Sequence, residues 1–186
     1  QDDLKLSFQR HSTSKIKRVE DLFLLESKGF RGEALASIAA ISHVEAKSKI
    51  EINETGSNVK ITGGKIQSIE DFVMSKGTSI SVKNLFYNIP ARRNFLKSDA
   101  VELRHIIDEF HRLSLSHPEI KFVLHQNDSE MFKLSNSSLQ KRIISIFSSK
   151  IQEKLIPVEE KTSVVEIKGF LIKPDFSKKS RGQQFF

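Results

Sequence analysis

The sequence predicts an α+β fold, and three observations carry that prediction. Apolar and polar residues alternate through Val44, Ala46, Ser48, Ile50 and Ile52, and again at Val59 and Ile61 and at Ile80 and Val82, as they do in half-buried strands. Other runs repeat at helical spacing: Leu35, Ile38, Ala39 and Ile41, then Val101, Leu103, Ile106, Ile107, Phe110 and Leu113. Turn clusters at Gly63-Gly64 and Asn127-Asp128-Ser129 join neighbouring strands as hairpins.

At 186 residues the chain suits one ordinary domain or two small ones, and its 38% apolar and 28% charged composition is globular. No apolar run nears the roughly 20 residues of a membrane span. The lack of cysteine excludes a disulfide scaffold and a cysteine metal site, and no signal-peptide pattern occurs, so an intracellular location is expected. A net charge of +7 permits contact with a polyanion, although the lysines are dispersed and a diffuse basic surface also serves solubility. Lys178, Lys179 and Arg181 are the most clustered cations and the candidate DNA contacts.

In chain order, residues 1–10 read as the end of a helix, with Leu4 and Phe8 on one face and a start cut from something longer. The loop Arg10-His11-Ser12-Thr13-Ser14-Lys15-Ile16 is dense in hydroxyls and cations that suit phosphate; as a plain connector it would instead cap a helix containing Val19, Leu22 and Phe23. Residues 21–28 read as a short helix stopped by Gly29.

Gly29-Phe30-Arg31-Gly32-Glu33 then stands before the helix of Leu35 to Ile41. Glycines there let backbone N–H groups approach an anion at the positive end of a helix, or they simply cap one helix and open the next. Arg31 reads as a phosphate contact, as an ion-pair partner of Glu33, or both. A carboxylate in a first helical turn is favoured by the dipole alone, so Glu33 is not taken as a general base.

A polar loop, residues 54–57, separates the first two strands, Lys65 to Ile69 is a return strand, and Gly77-Thr78 opens the strand from Ser79 to Leu85, with Ile80 and Val82 inward. Pro90 breaks that strand ahead of Arg92 and Arg93, which read as a solvated helix start. A helix from Ser98 ends at His117-Pro118; His105, His111 and His117, six apart, fall on different sides of it and do not share a metal. A hairpin follows. The polar run Ser135 to Ser138 marks a boundary, after which come a helix from Leu139 to Phe147 and a strand from Val164 to Ile172, with Gly169 as a bulge.

Four stretches, in order and spanning nearly the whole chain, closely resemble the N-terminal ATPase region of the MutL family of DNA mismatch repair proteins, themselves members of the GHKL ATPases. These are Arg10 to Ile16, Gly29 to Leu35, Gly77-Thr78-Ser79, and Leu85-Phe86-Tyr87-Asn88-Ile89-Pro90-Ala91-Arg92-Arg93-Asn94-Phe95-Leu96. Ser12 stands where the family usually carries alanine.

The resemblance implies the C-terminal part of a GHKL (Bergerat-type) α/β sandwich over 1–137, followed over 138–186 by the start of an α/β domain of the ribosomal-protein-S5 type. It implies ATP and Mg²⁺ as cofactors of the intact protein, and ATP contacts from Thr13, Ser14, Lys15, Gly29, Phe30, Arg31, Gly32, Glu33 and Thr78. No catalytic or metal-binding residue is assigned within the chain, because the family's catalytic glutamate, magnesium-binding asparagine and adenine-binding aspartate are expected before Gln1. The γ-phosphate lysine is expected after Phe186. The partners implied are DNA, a MutS-type mismatch-recognition protein and a second subunit in a homodimer or heterodimer, with no membrane. The setting is cytoplasmic if bacterial and nuclear if eukaryotic. Two other readings remain: a non-catalytic basic nucleic-acid-binding module, and another GHKL ATPase.

Overall fold

The structure, a computed structural model, describes residues 2–25 and 27–176. Its contacts divide into two compact units, one up to Leu96 and one from Lys97. Lys178, Lys179 and Arg181 lie outside the described residues.

The first unit is built on a four-stranded antiparallel sheet in the order β3-β2-β1-β4, formed by β1 (His43–Lys49), β2 (Gly56–Thr62), β3 (Lys65–Phe72) and β4 (Gly77–Lys83). Register sets its two faces. Val44 lies between Ile61 and Val82, and Ala46 between Val59 and Ile80, so these six side chains share one face. Alternate residues such as Glu45, Lys47 and Lys60 take the other, which stays polar.

Two helices cover the apolar face over β2: α1 (Asp2–Leu6) and α2 (Ala34–Ala40). Leu4, Phe8 and Ile38 pack against buried Ala39, Val44, Val59 and Ile61. The small Ala36 and Ala39 let the backbone of α2 come close to the sheet, and the Gly64 N–H donates to the Ala39 carbonyl at 2.8 Å. Ile80 and Val82 are on the expected face yet 45% and 43% exposed, because they stand on edge strand β4. The polar loop is shorter than expected: Gly56 and Ser57 are buried in β2, drawn in by strands on both sides.

The stretch from Leu85 to Asn88 closes the C-terminal end of α2. Phe86, in the left-handed region at φ +64°, donates its N–H to Ile41 O (2.8 Å), and Asn88 Nδ2 donates to Ala40 O (2.9 Å). The Tyr87 and His43 rings pack at a tilt with centroids 4.4 Å apart. These contacts satisfy carbonyls that the helix leaves open. Helix α3 (Pro90–Arg93) follows, with proline at its start, where its missing N–H costs nothing.

Residues 21–28 do not form the expected helix. A 3₁₀ helix spans Val19–Leu24, and the Asp21 carboxylate accepts the N–H groups of Lys17 (2.7 Å) and Arg18 (3.0 Å). Those two bonds hold the Asp21 carboxyl below its usual pKa. Val19, Phe23 and Leu24 are exposed, so no buried apolar face sustains a longer helix.

The second unit contains α4 (Asp99–Ser116), the hairpin β5 (Phe122–Gln126) and β6 (Ser129–Leu134), α5 (Leu139–Phe147), and the hairpin β7 (Leu155–Lys161) and β8 (Glu166–Ile172). Phe110 on α4 meets Phe122 at 6.1 Å and Phe132 at 5.5 Å. Arg142 on α5 is wholly buried and donates to four main-chain carbonyls: Ser114 (3.2 Å), Pro118 (2.8 Å), Ile120 (2.7 Å) and Ser135 (2.9 Å). Helix α5 is thereby fastened to the end of α4 and to the β5–β6 hairpin. The polar run ending at Ser138 caps this helix, the Ser138 hydroxyl accepting the Lys141 N–H, and the division of contacts falls upstream, before Lys97.

Strand β7 was not anticipated from the sequence. Gly169 is not a bulge: it pairs in register with Val158, and the irregularities fall at Lys60/Ile61 and Leu124/His125. His105, His111 and His117 have separate surroundings: His105 is beside Glu102, His117 beside Glu119, and His111 packs edge-on to Phe132 at 5.1 Å. Among the described residues no helix is long and apolar enough to cross a membrane.

Burial holds the His111 pKa below its ordinary 6.5, against the opposing charge of Asp108. A histidine depressed on folding supports the folded state above its unfolded pKa and withdraws that support as pH falls below it. Lowering the pH from 7.5 to 5.5 is therefore expected to reduce the urea midpoint of the second unit, and His111→Leu to lessen that reduction. Equal slopes in both proteins would show that His111 does not couple to folding.

Candidate functional site

The loop of residues 10–16 and the glycine motif of residues 29–33 are far apart in sequence but touch in the fold. Gly32 sits at φ +67°, in the left-handed region open to glycine, and a β-carbon there would lie 2.5 Å from the Ser12 carbonyl oxygen and 2.7 Å from the Ser12 N. The two backbones are in direct contact, and only a residue without a side chain permits it. Beside this point, Glu33 Oε1 accepts the backbone N–H of His11 at 3.2 Å and lies 2.8 Å from His11 Nδ1. His11 itself is left-handed at φ +62°.

Around this junction the remaining side chains are open to solvent. Ser14, Lys15 and Arg31 are exposed; Thr13 Oγ1 accepts the N–H of Lys15 at 3.1 Å, which turns the loop at that point. The Arg31 guanidinium lies over the Phe30 ring at 5.3 Å. Glu33, one of its expected partners, faces His11 instead, and among the described residues Arg31 has no carboxylate partner. The space where a β-carbon on Gly29 would stand is empty to 4 Å. A cation, hydroxyls and glycine backbone are thus displayed together, a combination that binds phosphate.

Helix α2, which starts from Glu33, is only seven residues long, and its first turn donates Ser37 N–H to Glu33 O at 2.9 Å. Thr78 stands on β4 opposite Ser48 of β1, and the two hydroxyls are 2.9 Å apart. Among the described residues Thr78 has no hydrogen bond to either loop. His11 and Ser48 are the contact residues that sequence reasoning passed over. A His–Glu pairing across 22 positions leaves no periodic signal, and Ser48 reads as one more residue of an alternating strand.

No protein-family model matches the chain. Over 184 residues, 99% of its length, the chain is 60% identical to the DNA mismatch repair protein MutL of Christiangramia forsetii, of which it spans 30%. Among solved structures, the Aquifex aeolicus MutL ATPase domain complexed with ADP aligns with 77% of the chain and 56% of its own length at a TM-score of 0.63 and 29% identity. The N-terminal domain of a DNA repair protein covers 91% of the chain at a TM-score of 0.68; at 22% identity it speaks for the fold alone. The fold is therefore that of a GHKL-type ATPase domain, in the part this chain spans. The chain belongs to the MutL family of DNA mismatch repair proteins.

Proposed function

We propose that this chain forms part of the nucleotide site of a mismatch repair ATPase. In this reading ATP binding and hydrolysis switch conformation and dimerisation, and so couple mismatch recognition to repair. The observation that carries the proposal is the junction of the two loops, where Lys15 and Arg31 remain exposed beside glycine backbone. Thr13, Ser14 and Lys15 would close over the triphosphate, Gly29 to Gly32 would present backbone N–H groups, and Arg31 would neutralise phosphate charge. Phe30 would support Arg31, and Thr78 would offer a hydroxyl at the mouth of β4. Glu33 borders the same cradle.

Among the described residues no three His, Cys, Asp or Glu side chains converge as a metal site, and no step is assigned to Mg²⁺ through them. The ADP complex of the Aquifex domain supports a nucleotide as ligand. DNA, a MutS-type protein and a second MutL-type subunit are the proposed partners, the net charge of +7 suiting the first. Residues from 138 onward would begin an S5-type α/β domain, and the protein would act inside the cell.

The test grafts these residues in place of the matching stretch of the Christiangramia forsetii protein and titrates a non-hydrolysable ATP analogue by calorimetry with Mg²⁺. Arg31→Ala is expected to weaken binding by roughly tenfold to a hundredfold, the loss of charge-assisted hydrogen bonds to phosphate. Unchanged affinity would leave the glycine motif as a helix entrance only.

A further inference from the structure

We propose that Glu33 and His11 are a positioning pair that clasps the 10–16 loop to the glycine motif, so that both sides of the nucleotide cradle move as one piece. The inference rests on the nucleotide reading above. Glu33 Oε1 meets His11 at two points, accepting its backbone N–H at 3.2 Å and lying 2.8 Å from its ring Nδ1. A main-chain bond and a ring contact to one residue fix its orientation as well as its distance.

That residue is the one that needs fixing. His11 is left-handed at φ +62°, a conformation its β-carbon disfavours, and the next residue, Ser12, lies against Gly32. Without the clasp, relaxation of His11 to an ordinary backbone conformation would swing Ser12 off Gly32 and carry the rest of the loop away from the glycine motif. The pair is on the surface, with side chains 85% and 36% exposed, and exposed pairs add little to global stability. Its effect is local: it decides how often the loop opens. Glu33 acts through the loop rather than on a ligand, which separates it from Lys15 and Arg31.

Trypsin reads this directly in the chain as it stands, because Lys15 lies in the loop while Lys60 lies in the central strand β2. The ratio of cleavage after Lys15 to cleavage after Lys60 is expected to rise roughly tenfold in Glu33→Ala. In Glu33→Gln, which keeps an acceptor for the His11 N–H, the rise is expected to be about threefold or less. No change in the ratio, whether both sites stay slow or both accelerate together, overturns the clasp, and so does a Gln variant as loose as the Ala variant. In the grafted protein, Glu33→Ala is expected to weaken ATP-analogue binding about fivefold, with Gln between it and wild type. Faster cleavage at Lys15 with unaltered analogue affinity overturns the positioning role, and only the Arg31 experiment decides whether nucleotide binds there at all.

Discussion

Replacing Arg142 by leucine is expected to destabilise the second unit by about 3–5 kcal/mol, because it strips a buried hydrogen-bond network of its charged donor. The guanidinium is wholly buried and its terminal nitrogens supply donors to Ser114 O, Pro118 O, Ile120 O and Ser135 O. Leucine fills part of the volume and offers no donor. Each carbonyl stripped of its bond and kept from water costs about 1–3 kcal/mol, so even partial rescue by water leaves a large deficit. Burial itself opposes the arginine, pulling its pKa down from the free value, while Glu119 opposes that shift. The hydrogen bonds must outweigh this desolvation.

Lysine should not rescue the site, since one ammonium with three donors cannot reach four carbonyls that a planar fork serves. Urea denaturation followed by circular dichroism measures the effect. A loss under about 1 kcal/mol in Arg142→Leu would mean that the four carbonyls find other donors and that α5 is held by its apolar face instead.

The second large effect separates two glycines of the same motif. Gly32→Ala is expected to cost about 2–4 kcal/mol locally, a left-handed alanine plus a β-carbon placed against backbone that has no side chain to swing aside. The contact at 2.5 Å is with the carbonyl oxygen of Ser12, so relief requires the loop itself to shift. Tryptic cleavage after Lys15 should accelerate sharply and analogue binding by the grafted protein should fall by at least about thirtyfold. Gly29→Ala behaves otherwise: its φ is ordinary and its β-carbon would meet open space, so stability should change by no more than about 0.5 kcal/mol. If Gly29 faces the phosphates, that variant alone loses analogue affinity without loosening the loop. Identical behaviour of the two variants in both assays would show that neither the left-handed backbone nor the Ser12 contact matters.

Much of this molecule follows from local rules. Alternation placed β1, β2 and β4 because a half-buried strand must turn every second side chain inward. Helical spacing placed α5 over Leu139–Phe147, and Gly63-Gly64 marked its hairpin because two successive left-handed residues suit glycine. The family motifs marked the two loops that meet at the candidate site.

Other features depend on partners distant in sequence. Residues 21–28 had helical propensity, yet only a 3₁₀ helix formed, because Phe23 and Leu24 found nothing to bury against. Ser135 to Ser138 read as a boundary by composition; Arg142, just beyond it, reaches back to α4 and the β5–β6 hairpin. Arg31, two positions from Glu33, read as its ion-pair partner or a phosphate contact; in the fold Glu33 meets His11 instead. Sequence alone determined most of the strands and helices, β7 and residues 21–28 excepted, since periodicity and turn chemistry act over a few residues. Tertiary structure alone decided what Glu33 and Arg142 do, because a hydrogen bond is chosen by distance in space.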